Sequence, residues 1–232
     1  MLSTFSLEYV ASVLITVAIV MFSAIVHEVA HGYVAYRCGD PTAKEAGRLT
    51  LDPRAHLDGF GSIVLPIILA LAGGVIVGFA KPVPYNPRRL RNPRRDELLV
   101  ALAGPASNIL QALLGTVLLK VSWEWGTFFI TGYGTAYTVF YWVVQVLTTY
   151  IYVNLVLAFF NLVPLPPLDG SKVILYFLKG EARRKFYEIS RYSMAILLVL
   201  IILVPMVTGL DPLGAYLDLT AGNLYYALLS VI

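Results

Sequence analysis

The chain has 232 residues, of which 58% are hydrophobic and 13% charged, with a formal net charge of +3 and a mean hydropathy of +0.75. An ordinary water-soluble domain, with about 25% charged residues, is excluded by that balance. The Lys and Arg residues fall mostly in short loops between apolar stretches, which is topology information and not a nucleic-acid surface, and the single cysteine, Cys38, rules out an intrachain disulfide.

Five charge-free windows, 9–27, 59–80, 98–119, 125–168 and 192–210, are each near or above the ~20 residues that cross a bilayer. They predict an all-α polytopic membrane protein with about five to six transmembrane or re-entrant segments. The first helix is expected from about Leu7 to about Tyr36. Its N-terminal flank lacks a basic region and a cleavage site, so it reads as a retained helix and not a signal peptide. A polar stretch, 37–58, follows, with Gly39-Asp40-Pro41 as a turn and residues 48–51 as a candidate short strand. The window 59–80 is interrupted by Pro66 and Gly73-Gly74 and reads either as a spanning helix or as a re-entrant hairpin. Residues 81–95 form a Pro-rich basic loop.

The window 98–119 is a clean span carrying Gly104-Pro105. The 44-residue run 125–168 is too long for one helix, and Gly132 and Gly134 suggest a turn before a helix at 137–162. Three prolines between Asn161 and Gly170 then prevent regular helix. A short amphipathic piece (171–179), a basic loop (181–191) and a last apolar helix (192–207) follow, and the tail 219–232 is short for a span. The chain shows no internal repeat and no appended soluble domain, so residues 1–232 are expected to form a single membrane-embedded core.

Positive charge orients the segments. Residues 81–95 and 172–191 each carry six Lys or Arg, whereas the connection 120–137 carries one. The two basic loops are therefore expected on the cytoplasmic side.

The residues that carry chemistry begin with His27-Glu28-Val29-Ala30-His31. On a helix, residues four apart share a face, so His27 and His31 can grip one ion while Glu28 addresses an adjacent water. Zinc needs a third protein ligand, with a fourth position left for water if the site is catalytic. With three histidines and one cysteine in the chain, the candidates are His56, Cys38 or a carboxylate other than Glu28. Most acids lie in loops beside basic residues. Asp169 differs, because it ends the 44-residue charge-free run. A charge at membrane depth costs about 2.5–3.5 kcal/mol on insertion scales, and coordination to a cation would offset it. Its alternative is an N-cap for the helix beginning near Ser171. His56, flanked by Asp52, Arg54 and Asp58, reads as part of a solvated turn and ranks below Asp169. Asn161 is placed to donate to a developing oxyanion, with a helix C-cap as its alternative. For Gly104-Pro105-x-x-Asn108 a helix-packing role and a role near the metal both stand open.

Taken together, His27-Glu28-x-x-His31, Gly104-Pro105-x-x-Asn108 and Asn161-x-x-Pro164-x-x-x-x-Asp169-Gly170 closely resemble the site-2 protease family of intramembrane zinc metalloproteases, in its compact prokaryotic form. The flanking Gly39-Asp40-Pro41-Thr42-Ala43 and Phe79-Ala80-Lys81-Pro82-Val83-Pro84 are similar as well; Gly59, where proline would be expected after His-Leu-Asp, departs from the pattern. The resemblance implies one Zn2+ held by His27, His31 and Asp169, Glu28 as general base and acid, Asn161 as a transition-state or substrate contact, and Asn108 as a further catalytic residue. It also implies a bare catalytic core without PDZ or CBS domains. The expected function is hydrolysis of peptide bonds within or near transmembrane segments of membrane protein substrates, in a prokaryotic cell membrane, with the active site toward the cytoplasm. The partners expected are such a substrate and the lipid bilayer, with no nucleic acid; the oligomeric state stays open. A small β element near the site, at 48–51 or around Gly73-Gly74, is expected to receive an unwound substrate. The competing class is a membrane metal-binding or transport protein using the same His/Asp site, for which further polar residues and repeat symmetry are lacking. A noncatalytic scaffold fits the intact Glu28 poorly.

Overall fold

The computed structural model describes residues 7–56, 81–129 and 134–232. The window 59–80, with Pro66 and Gly73-Gly74, and the turn residue Gly132 lie outside the described residues. Helix α1 runs Leu7–Arg37, with Glu8 in its first turn and Arg37 in its last, each at the end that suits the helix dipole. Two single turns, α2 (Thr42–Glu45) and α3 (Pro53–His56), occupy the polar stretch. Helix α4, Pro93–Phe129, starts with proline at its first position. Asp96 reaches back to accept the Asn92 N–H at 2.8 Å, a variant of the capping box.

Helix α5 is Thr135–Asn161 and α6 is Gly170–Phe177. Then come α7 (Gly180–Ser190) and α8 (Ser193–Thr208), the latter with a π-helical middle, Val199–Leu203. Helix α9 (Pro212–Leu217) leads through a second π-helical stretch, Asp218–Gly222, into α10 (Asn223–Leu229).

Helices α1, α4 and α5 pack on one another, α6 docks against α4, and the Asp218–Gly222 stretch lies on α5. Ala112 and Leu119 of α4, Ile151 and Leu155 of α5 and Ala221 form a buried apolar cluster. The distribution of polarity is the reverse of a soluble bundle. Leu110, Leu113, Leu114, Val117, Leu118 and Val121 are exposed along α4, whereas Ser23, Asn108 and Asn154 have no exposed surface. Lipid outside and hydrogen-bonded polar groups inside select that arrangement.

Three helices, Leu7–Arg37, Pro93–Thr127 and Thr135–Asn161, are long and apolar enough to cross a membrane, with mean hydropathies of 2.5, 1.6 and 1.8. A fourth span is counted if α7 and α8, bent by 68° at their junction, are taken together. The described residues thus supply three to four of the five to six expected segments. Among them there is no strand, and residues 48–51 are bends and irregular chain. Arg48 turns its backbone N–H back to the Ala43 carbonyl at 2.9 Å instead of offering it to a neighbouring strand. Its guanidinium donates to the carbonyls of Lys81 and Pro82 at 2.7 and 3.4 Å. The basic stretch 181–191, expected as loop, is helical through Ser190 in α7, with Arg191 as its C-cap. Pairs four residues apart, Glu181 with Lys185 at 3.2 Å and Glu188 with Arg184 at 3.6 Å, lie along one helical turn and suit that conformation.

Candidate metal centre

His27 and His31 lie one turn apart on α1. Their Nε2 atoms are 3.0 Å from each other, and Oδ2 of Asp169 is 3.1 Å from both. Among the described residues this is the group of metal-ligating side chains whose donor atoms all lie within 4.8 Å. Asp169 arrives from the proline-broken connection 162–169, which folds back through Leu165 N–H to the Val163 carbonyl, Leu168 N–H to the Leu165 carbonyl, and the Ser171 hydroxyl to the Leu168 carbonyl. Gly170 is required in that fold, since a Cβ there would sit 2.1 Å from the Leu162 carbonyl oxygen. Asp169 does precede α6, yet its carboxylate caps no backbone N–H of that helix. It is turned to the imidazoles instead.

The other ring nitrogens decide what the triangle can do. His31 Nδ1 is 2.6 Å from the Val100 carbonyl oxygen, and His27 Nδ1 is 2.5 Å from Asn108 Oδ1. Each of these oxygens only accepts, so each Nδ1 carries the proton and donates it. Each ring then turns its Nε2 toward the other ring and toward a carboxylate oxygen, so Nε2 is the nitrogen offered to an ion. Three potential acceptors converging at 3.0–3.1 Å repel unless a proton or a metal ion lies among them, and a metal ion answers all three at once. A tetrahedral ion with N and O donors at about 2.0–2.1 Å sets those donors about 3.3 Å apart, close to the spacing here. Two imidazoles and one carboxylate, with a fourth position open, is the donor set of catalytic zinc. The residues present fit the ion.

α4 closes the back of the site by lacking a side chain. A Cβ on Gly104 would lie 2.5 Å from His27 Cε1 and Nε2 and from His31 Nε2. Beside the triangle, Glu28 Oε2 accepts the Val83 N–H at 2.8 Å, so the extended segment after residue 80 holds one oxygen of that carboxylate.

The remaining candidates fall in different places. The Asn108 amide stands behind His27 and donates from Nδ2 to Asn154 Oδ1 at 2.9 Å. At the end of α5, the Asn161 Nδ2 donates to the Leu157 carbonyl at 2.9 Å. His56 is not solvated but fully buried, because its Nε2 finds the Thr50 carbonyl at 2.8 Å and its own carbonyl accepts from Lys81 N–H; it is not part of the triangle. Cys38 lies just past α1, outside the triangle, and burial together with the nearby Asp96 pushes its thiol pKa up.

Sequence reasoning passed over Val100, Val83, Ser23 and Asn154. The first two act through backbone groups and leave no side-chain signal. The other two did leave one: Ser23 is one turn before His27, and Asn154 is a buried amide in the charge-free run, two turns before Asn161.

Comparison with known proteins follows the same direction. The model of Peptidase family M50 matches residues 15–204. A Bacillus subtilis (strain 168) protein named "Putative zinc metalloprotease YwhC" is 39% identical over 203 residues, covering 88% of this chain and 82% of its own length. The Rip2 protein of Mycolicibacterium smegmatis, which bears the same zinc metalloprotease description, is 30% identical over 196 residues, covering 84% of this chain and 70% of its own length. Its Mycobacterium tuberculosis (strain ATCC 25618 / H37Rv) counterpart is 28% identical over 203 residues, 88% of this chain and 72% of that protein. No solved structure matches the chain.

Proposed function

The chain belongs to peptidase family M50, the site-2 protease family, and is a membrane metalloprotease with zinc as its cofactor; from that membership we propose that it hydrolyses peptide bonds within or near transmembrane segments of other membrane proteins. The observation that carries this reading is the His27–His31–Asp169 triangle set among apolar helices, with Glu28 on the same helix. Residues 1–232 act as a single membrane-embedded core in this reading.

His27, His31 and Asp169 are the ligands. Bound zinc supplies Lewis-acid polarisation of the scissile carbonyl and acidifies water at the site. Glu28 takes a proton from the attacking water and returns it to the leaving amine. Val83 N–H anchors one oxygen of that carboxylate, which fixes its direction and leaves the other for water. Asn108 holds His27 from behind and is assigned to positioning. Asn161 is assigned to substrate: one N–H of its amide is engaged by Leu157, which leaves a second N–H and the carbonyl oxygen for a peptide backbone.

A peptide bond in intact helix is shielded, so the substrate must unwind locally and its freed backbone groups must find partners. The basic stretches 81–95 and 172–191 support a cytoplasmic opening through which water and products pass. The test is Glu28→Gln in detergent with single-pass membrane substrates and mass spectrometry of the fragments. Zinc should stay stoichiometric while cleavage falls by about 10²–10⁴-fold. Cleavage retained in that variant, or in wild type after zinc chelation, would overturn the reading.

A further inference from the structure

Behind the metal centre a line of fully buried polar groups crosses from α4 to α5 and back to α1. Asn108 Nδ2 donates to Asn154 Oδ1 at 2.9 Å; Asn154 Nδ2 donates to Ser23 Oγ at 3.0 Å and to the Tyr150 carbonyl at 2.9 Å. We propose that Asn154 is a positioning residue of this protease, which sets the ring tautomer of His27 through Asn108. The inference rests on the metal-centre reading above and deepens it.

The directions of these bonds are forced, one after another, from one end. A backbone carbonyl only accepts, so the atom that Asn154 turns to Tyr150 must be Nδ2. The Ser23 hydroxyl can rotate to suit either partner and decides nothing. Asn154 Oδ1 is thereby turned to α4, where it also only accepts, and Asn108 must meet it with Nδ2. Asn108 Oδ1 then faces His27 Nδ1, which must carry its proton. Nε2 is the nitrogen left to address an ion, beside His31 and Asp169.

His31 reaches the same state in one step, because its Nδ1 donates straight to the Val100 carbonyl. Among the described residues no backbone carbonyl is bonded to His27 Nδ1, and two amides carry the instruction from Tyr150 instead. Outer-shell partners of a metal-ligating histidine fix its tautomer and orientation, and their loss typically weakens metal binding 10- to 100-fold. A line of buried amides can also be plain glue between helices. Glue alone would make no demand on the tautomer of His27, and that difference is measurable.

The experiment uses the full chain in detergent, stripped of zinc and labelled with ¹⁵N-histidine. In wild type, long-range ¹H–¹⁵N spectra should show His27 protonated at Nδ1; an Nδ1 without a proton would overturn the proposal, and this measurement needs no variant to fold. Asn154→Leu frees Asn108 to turn over. It should give a mixture of His27 tautomers and weaken zinc binding about 10-fold in a chelator competition. Adding Asn108→Asp to Asn154→Leu puts an acceptor-only carboxylate against His27 Nδ1, and zinc affinity should return toward the wild-type value. Zinc bound as tightly by Asn154→Leu as by wild type, or no recovery in the double variant, would refute the relay. If wild type binds no zinc, the metal-centre reading falls, while the tautomer spectrum still decides this one.

Discussion

Gly104→Ala tests the geometry of the centre with a single methyl group. In the middle of a helix alanine is normally the better residue by about 1 kcal/mol. At position 104 the added Cβ would sit 2.5 Å from three imidazole atoms, against the 3.4 Å at which ordinary contact begins. Relief requires the rings or the helix to move by about 0.9 Å, the difference of those two distances. Neither ring can simply retreat from α4, because His27 is bonded to Asn108 at 2.5 Å and His31 to Val100 at 2.6 Å, one turn either side of Gly104 on the same helix. Metal–ligand distances tolerate about ±0.2 Å, so the displacement is more than four times what the ion accepts. Zinc measured by elemental analysis of the purified variant should fall well below one per chain, with at least about 100-fold weaker binding in competition. Gly134→Ala is the control, since a Cβ there meets nothing within 4 Å among the described residues, and it should leave zinc untouched. A Gly104→Ala protein that keeps stoichiometric zinc and melts at or above the wild-type temperature would refute the placement of α4 against the two histidines.

Asp169→Ala should lose zinc in the same analysis, whereas His56→Ala should keep it; the opposite pattern would make His56 the third ligand. Asp40 gives a pH dependence away from the membrane helices. Burial opposes its ionisation, but donors from Thr42 and Asn86, with Arg89 nearby, outweigh that and hold its carboxyl below the ordinary value. A carboxyl depressed by folding stabilises above its unfolded pKa, about 4, and that contribution disappears as pH falls through the lower folded value. Thermal melts of Asp40→Asn should therefore lie below wild type at pH 6, with the gap closing toward pH 3. A gap that does not change with pH would remove Asp40 from the account.

How far the sequence could be read depended on what each signal needs. His27 and His31 are legible because both sit within one helical turn, and Asp169 because a charge stands out at the end of a 44-residue apolar run. The spans at α1, α4 and α5 followed from hydropathy alone. Charge dominated the reading of 181–191 and hid a helix whose ion pairs are spaced four apart. The last apolar window makes the helix Ser193–Thr208, stopped by Gly209 in the left-handed region, and it counts as a span only together with α7. Asn161 shows the opposite failure. Its position in the motif was plain, but its rotamer, turned to the carbonyl of Leu157, depends on the local end of α5. For Gly104 the sequence leaves a packing role and a role near the metal both open, and its neighbours turn out to be the imidazoles of His27 and His31.

The choice of amides behind His27 has an electrostatic reason. A divalent ion together with the carboxylates of Asp169 and Glu28 sums to zero formal charge, the least costly total for a centre among apolar helices. A carboxylate behind His27 would orient the ring equally well, as it does at many zinc sites. Here it would leave a net negative charge next to buried Asp169, with no Lys or Arg anywhere in the windows 9–27, 98–119 or 125–168 to answer it. Asn108 and Asn154 dictate the proton position by hydrogen-bond direction alone and add no charge. The direction originates at a helix carbonyl, whose orientation the fold of α5 already fixes.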